Sequence, residues 1–218
     1  VERIICATDG TGGSGSKKQQ DQEQPSQTGK EGPAWGFVAI AEMTKNAGGG
    51  YRKIGYAGAP VRDSSQASTA DWIGAKEASV LTAEASAMYW AITWLAHHWP
   101  HTKAEILYDS KYAASGATGE CNWDSEEDML QILKLAIDYH SDRQKMNKGI
   151  SGLDWKHTHS HTGNPWNETA DGIASNAAKG RLNFRAPSGT QEWTKLIKRS
   201  AETGTRGIDW AWARSSEH

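Results

Sequence analysis

Cysteine is nearly absent from the 218 residues: Cys6 sits in an apolar run and Cys121 in a polar stretch, so no disulfide framework is expected. A reducing compartment, cytoplasm or nucleus, is the expected setting. No apolar run is long enough to span a bilayer, and the N-terminus carries no signal-peptide pattern, so no membrane partner is expected. Neither sign of charge prevails, with 24 Lys and Arg against 26 Asp and Glu and a net charge of −2. A polyanion therefore has to be met by a local basic patch or a bound cation. An initiating Met is also missing. A chain starting at Val1 is expected to be a segment of a longer polypeptide, with any targeting signal outside it.

What the sequence does have is a composition of 37% hydrophobic and 23% charged residues, which fits a soluble globular domain with some polar segments. Its eleven tryptophans are expected mainly in the core or an interface, where an exposed few can stack on bases.

The stretch Trp155–Lys179, WKHTHSHTGNPWNETADGIASNAAK, organises the rest. It alternates like a strand up to Ser160, breaks at Gly163, Asn164 and Pro165, and from Asn167 repeats small apolar residues at helical spacing. His161 and Asp171 are thereby brought to one turn between a strand and a helix. Upstream, Arg3 to Thr8 reads as a buried strand ending at Asp9 and Gly10. Residues 11–32, rich in Gly, Ser, Gln, Lys and Glu, read as a flexible insertion in a hairpin. Strands over Trp35 to Met43 and Tyr51 to Ala57 complete an antiparallel meander. After an irregular connection, Thr82 to His98 has helical spacing with Thr82 as cap, and Pro100 ends it. Ala104 to Tyr108 is a second buried strand, ending on Asp109. Helices follow over Lys111 to Ala117 and Ser125 to Met146, then a strand over Leu153 to Ser160 and a helix over Asn167 to Ala178. The domain is expected to span 1–180. The remainder, 181–218, is an extension of unassigned role, with Thr190 to Ala201 a short helix and Ile208 to Ala213 a tryptophan-rich tail.

This order predicts a mixed α/β sheet, antiparallel at one edge and parallel where helices intervene. A right-handed crossover out of the meander sets the fourth strand beside the first, so Asp9 and Asp109 stand together at the strand ends where such sheets bind ligands. Glu84 and Asp171, early on their helices, can be aimed at the same rim. Carboxylates gathered there repel one another unless neutralised. Hard divalent cations are the economical remedy, and two ions about 4 Å apart activate water and clamp a scissile phosphate. Phosphodiester hydrolysis is the chemistry implied, with His161 placed to carry a proton. His157, His159 and His161 alternate and invite a zinc reading, but no fourth ligand at a recognisable spacing accompanies them. A solvated or packed strand face is the competing explanation for His157 and His159.

Taken as a set, Asp9, Glu84, Asp109 and Asp171, in the contexts ATDG, TAEASA, LYDSKY and HTGNPWNETAD, resemble the type-1 ribonuclease H family. The resemblance implies a five-stranded ribonuclease H-like fold flanked by helices. It also implies Mg2+-dependent cutting of the RNA strand of RNA/DNA hybrids, with two ions, Mn2+ as a substitute, and 3′-hydroxyl and 5′-phosphate ends. By it the four acids bind metal, His161 is the proton carrier, and Gly10, Ser110, Asn167 and Glu168 lie near the substrate.

Three features depart from the family pattern. Val80 and Leu81 stand where many members carry asparagines, a basic protrusion between the two middle helices is missing, and the loop after Asp9 is long. Such a domain is similar to the ribonuclease H portion of non-LTR retrotransposon reverse transcriptases, in which neighbouring polymerase domains hold the substrate. Basic residues Lys17, Lys18, Lys30, Lys195, Lys198 and Arg199 are candidate auxiliary phosphate contacts. The alternative function is an inert nucleic-acid-binding or connector module of the same fold. A related polynucleotidyl transferase fits less well, because such enzymes place the helical Glu last among three acids.

Overall fold

The computed structural model describes residues 1–12, 31–145 and 153–186. Most of the 11–32 insertion, the end of the predicted helix at Met146, both tail predictions and all six basic residues named above lie outside the described residues.

Five strands, β1 (Arg3–Thr11), β2 (Ala34–Glu42), β3 (Tyr51–Pro60), β4 (Ala104–Tyr108) and β5 (Leu153–His157), form one sheet in the order β3-β2-β1-β4-β5. The meander β1 to β3 is antiparallel, while β1–β4 and β4–β5 pair in parallel. Helices α1 (Val80–His98), α2 (Lys111–Thr118), α3 (Glu127–Lys145) and α4 (Pro165–Ala178) supply the crossovers and the last element. This is the mixed sheet that the pattern predicts.

Alternation along β1 divides the core. Ile4 and Cys6 join Trp35, Phe37, Met88, Ile92 and Leu95 in the large cluster formed with α1, α2 and α3. Ile5 and Ala7 join Val38, Ile40, Leu107 and Ala170 of α4 in a smaller one. Successive side chains of a strand leave on opposite faces, so both faces of the sheet are covered. Each fully buried aliphatic side chain contributes about 1.5–3 kcal/mol to that arrangement. Tryptophans thicken the large cluster: Trp35 stacks on Trp90 at 5.8 Å, and Phe184 meets both edge-on at 4.9 and 4.7 Å.

Several element ends differ from the sequence reading, each for a local reason. The cap of α1 is Ser79 and not Thr82: the Ser79 hydroxyl accepts from the Thr82 backbone N–H at 3.2 Å, and the Ser79 N–H donates to the Thr82 hydroxyl at 2.8 Å. This capping box starts the helix earlier and takes Val80 and Leu81 into its first turn. At α4, Pro165 opens the helix and does not break it, since a first-turn N–H needs no helical partner. Asn164 caps it by accepting from the N–H groups of Trp166 at 3.0 Å and Asn167 at 3.3 Å. Helix α3 begins after Glu126, whose buried carboxylate instead accepts the N–H groups of Lys76 at 2.8 Å and Glu77 at 3.2 Å. That bond ties down the connection before α1. Finally, β1 runs on to Thr11 because Gly10 and Thr11 still pair with Trp35 and Ala34, and β5 stops at His157.

Candidate active site and metal centre

Parallel pairing of β1 with β4 ends at Ala7 and Leu107, and two residues farther along each strand direction come Asp9 and Asp109. Asp9 is 8% exposed, on a strand still held on its other side by β2. Helix α1 crosses this point at Gly10. A Cβ on Gly10 would lie 2.7 Å from the carbonyl carbon of Ala83 and closer still to the Glu84 nitrogen. Only glycine therefore lets α1 come close enough to set Glu84, 4% exposed, beside Asp9. One carboxylate oxygen each from Asp9, Glu84 and Asp109 lie within 4.8 Å of one another.

The fourth acid arrives from the other face of the sheet. Gly36 pairs with Asp9 across the β1–β2 ladder, and Gly58 pairs with Gly36 across β2–β3. A Cβ on Gly36 would lie 2.6 Å from the Ala174 nitrogen and 2.8 Å from the Ala170 oxygen; one on Gly58 would lie 2.8 Å from Ile173. The row Asp9, Gly36, Gly58 is thus a shallow trough for α4. Asp171, half-buried on that helix, comes near enough for its charge to act on Asp9, although it stays outside the tight group of three.

Burial and like charge make this rim expensive. Asp9 is pushed up to about 8, chiefly by burial and then by Asp109 and Asp171, with a hydrogen bond from the Gly10 backbone opposing. Glu84 is pushed up to about 9 by burial and then by Asp9 and Asp109, again opposed by Gly10. The Glu84 Oε2 atom is buried without a hydrogen-bond partner. Among the described residues, the ion pairs of Arg3, Arg62 and Lys103 go to other carboxylates. An all-oxygen donor set with an unsatisfied buried carboxylate oxygen, to which none of these ion-paired basic residues of the described part is directed, fits a hard divalent ion. Asp9, Glu84 and Asp109 are the residues placed to hold it.

The remaining predicted residues divide. Gly10 supports the approach of α1. Ser110 caps α2, its hydroxyl accepting from the Ala113 N–H at 3.3 Å. Glu168 is exposed in the first turn of α4. Asn167 is 2% exposed and donates from Nδ2 to Asp109 Oδ2 at 3.2 Å, a contact that the sequence reading did not foresee. His161 is exposed on the turn before α4 with a positive φ of 54°, past the end of β5. Because β5 ends at His157, both His159 and His161 lie beyond it and the three do not share a strand face; the rings of His157 and His159 meet edge-on at 4.9 Å, with His157 beside Tyr108. Among the described residues, the three acids are the one group of three or more His, Cys, Asp or Glu side chains close enough to share an ion. A three-histidine zinc site is not formed. The trough glycines Gly36 and Gly58 were also missed, though an isolated glycine inside a strand pattern is a signal of close backbone approach.

The family model for RNase H matches residues 43–179. That span holds Glu84, Asp109, His161 and Asp171; Asp9 precedes it and joins the site through the sheet. No curated protein matches the sequence. Among solved structures, the chain is similar to the N-terminal RNase H domain of a Mycobacterium tuberculosis protein, solved as a fusion with maltose-binding protein, at 15% identity and TM-score 0.51, covering 83% of this chain and 96% of that one. It is also similar to LC9-RNase H1, a type 1 RNase H with the type 2 active-site motif, at 15% identity and TM-score 0.50, covering 96% of this chain and 90% of that one. RNase H1 of Halobacterium salinarum is 18% identical with a TM-score of 0.45, over 82% of this chain and 98% of that one. Matched by the family model over more than half its length, and sharing its fold with the first two of these structures, the chain belongs to the RNase H family.

Proposed function

We propose that this chain hydrolyses the RNA strand of RNA/DNA hybrids at the rim formed by Asp9, Glu84, Asp109 and Asp171, using two Mg2+ ions, with Mn2+ as a substitute. The carrying observation is the convergence of three carboxylates within 4.8 Å, two of them buried and one with an unpartnered oxygen. Membership of the RNase H family supports the choice of hybrid as substrate. Held by Asp9, Glu84 and Asp109, divalent ions would supply water activation near neutral pH and charge stabilisation at the leaving oxygen.

The chain's own residues do the rest. Asp9, Glu84, Asp109 and, from α4, Asp171 hold the cations. The buried walls formed by β1 and α1 limit bulk water at the reacting phosphate, which strengthens every charge interaction there. His161, exposed on its turn, delivers a proton to the departing 3′-oxygen as its bond to phosphorus breaks, leaving 3′-hydroxyl and 5′-phosphate ends. Gly10, Ser110 and Glu168 lie along the rim as contacts to the nucleic-acid backbone. Hybrid is distinguished from duplex DNA by groove shape and 2′-hydroxyl contacts.

The catalytic domain is assigned to 1–180, with 11–32 inserted and 181–218 appended. The family match ends at residue 179 and α4 at Ala178, which supports a boundary near there, while Phe184 packs on Trp35 and Trp90, so the first residues of the extension still belong to the core. The likeness of HTGNPWNETADGIA to non-LTR retrotransposon sequences supports a place beside polymerase domains that grip the substrate.

Substrate selectivity tests the proposal. Labelled RNA/DNA hybrid, single-stranded RNA, duplex RNA and duplex DNA are incubated with the chain in Mg2+ and in Mn2+, and the ends are mapped. Cutting of the hybrid RNA strand alone, with 5′-phosphate ends, is the expected result. Hybrid binding without cutting in either metal would replace it with the inert connector.

A further inference from the structure

We infer that Asn167 is a positioning residue for this rim: its side-chain amide holds the Asp109 carboxylate in the orientation in which it converges with Asp9 and Glu84, so that cation affinity depends on it. The inference rests on the metal reading above and goes on to name what fixes one of the ligands. Asn167 is the third residue of α4, and its backbone N–H is held by the Asn164 cap at 3.3 Å. Its Nδ2 spans from α4 to the end of β4 and donates to Asp109 Oδ2 at 3.2 Å.

The orientation of the amide is dictated. Turned over, it would set its oxygen against the carboxylate, acceptor against acceptor. In the observed orientation the Asn167 Oδ1 atom is buried with no hydrogen-bond partner, so the side chain gives up one bond in keeping the other. An apolar residue of similar size would avoid that loss, and the donor to Asp109 is what it would forfeit. At 2% exposure Asn167 has no surface to offer a nucleic acid, which separates it from the substrate contacts expected of its neighbours. Asp109 itself directly follows β4 and is not pinned by strand pairing. A charged-acceptor hydrogen bond is the kind that fixes a carboxylate rotamer.

The test compares the parent chain with Asn167→Leu and Asn167→Ala. Mn2+ binding is measured by titration calorimetry without nucleic acid, thermal unfolding without metal, and hybrid cleavage across Mn2+ concentrations. Both variants are expected to fold, to bind Mn2+ about tenfold more weakly, the equivalent of ~1.4 kcal/mol, and to recover cleavage as Mn2+ is raised, with the KM for hybrid unchanged. Unchanged Mn2+ affinity in a folded variant would overturn the inference, as would a raised KM that Mn2+ does not correct. Failure of both variants to fold would overturn it too, assigning Asn167 to the core. A parent chain that binds no Mn2+ would remove the metal reading itself and this inference with it, an outcome distinct from parental binding that the substitutions leave untouched.

Discussion

Gly36 faces Asp9 directly across the β1–β2 ladder, and a methyl group on it would sit 2.6 Å from the backbone nitrogen of Ala174. The contact joins the seating of a helix to the assembly of the site. Helix α4 lies in the trough that Gly36 and Gly58 leave open, and Asp171 is brought toward Asp9 by that seating. Gly10 does the same for α1 and Glu84 on the other face.

Gly36→Ala and Gly10→Ala therefore act on the site by moving helices. In both cases the intruding methyl meets backbone, which cannot swing away as a flexible side chain would. Each substitution is expected to cost about 1–3 kcal/mol of stability, the usual range for overpacking. Each is also expected to lower cleavage of hybrid by more than the loss of folded protein explains. Thermal unfolding and cleavage of the same preparations separate the two effects.

The buried acids make metal-free stability depend on pH in a predictable direction. Asp9 and Glu84 are pushed up to about 8 and about 9 in the fold, against about 4 for such groups in an unfolded chain. The folded state binds the extra protons, so this contribution is fully present below about pH 4 and lost as pH rises through the folded values. Asp9→Asn removes one of the charges whose formation the fold resists. It should raise metal-free stability by about 1–3 kcal/mol at pH 8 and leave it nearly unchanged at pH 4. Urea unfolding of both proteins at the two pH values gives the comparison.

Cation binding should reverse that penalty in the parent. Ligand at 100 times its dissociation constant adds about 2.7 kcal/mol to stability, so saturating Mg2+ or Mn2+ should raise the melting temperature by several degrees, and chelation should return it. In Asp109→Asn one of the three converging carboxylates is gone. The shift should shrink sharply in that variant.

Much of this arrangement is legible in the chain because its signals are local. Apolar runs ending on Asp9 and Asp109 mark strands whose ends meet, and the order of strands and helices then places both at one edge. The helical periodicities before and after those runs likewise locate Glu84 and Asp171 on their elements. The parts that were not legible depend on contacts between elements. Ser79 and Thr82 are both acceptable caps by type, and the reciprocal pair of bonds decides between them. Pro165 reads as a breaker and opens the helix, a difference of one position relative to its cap. Gly36 looks like a weak strand residue until α4 is laid against it. Asn167, which the resemblance sets near the substrate, reveals its bond only when Asp109, 58 residues away in the chain, is brought beside it.

The most direct measurement is cleavage of a labelled RNA/DNA hybrid by the parent chain and by Asp109→Asn, with Mg2+ titrated from a chelated start. The account predicts no cutting without the ion, cutting of the RNA strand that rises and saturates with Mg2+, and a loss of at least about a hundredfold in the variant, or ~2.7 kcal/mol of transition-state stabilisation. Parental cutting that persists in chelator, or an Asp109→Asn protein as active as the parent, would contradict it.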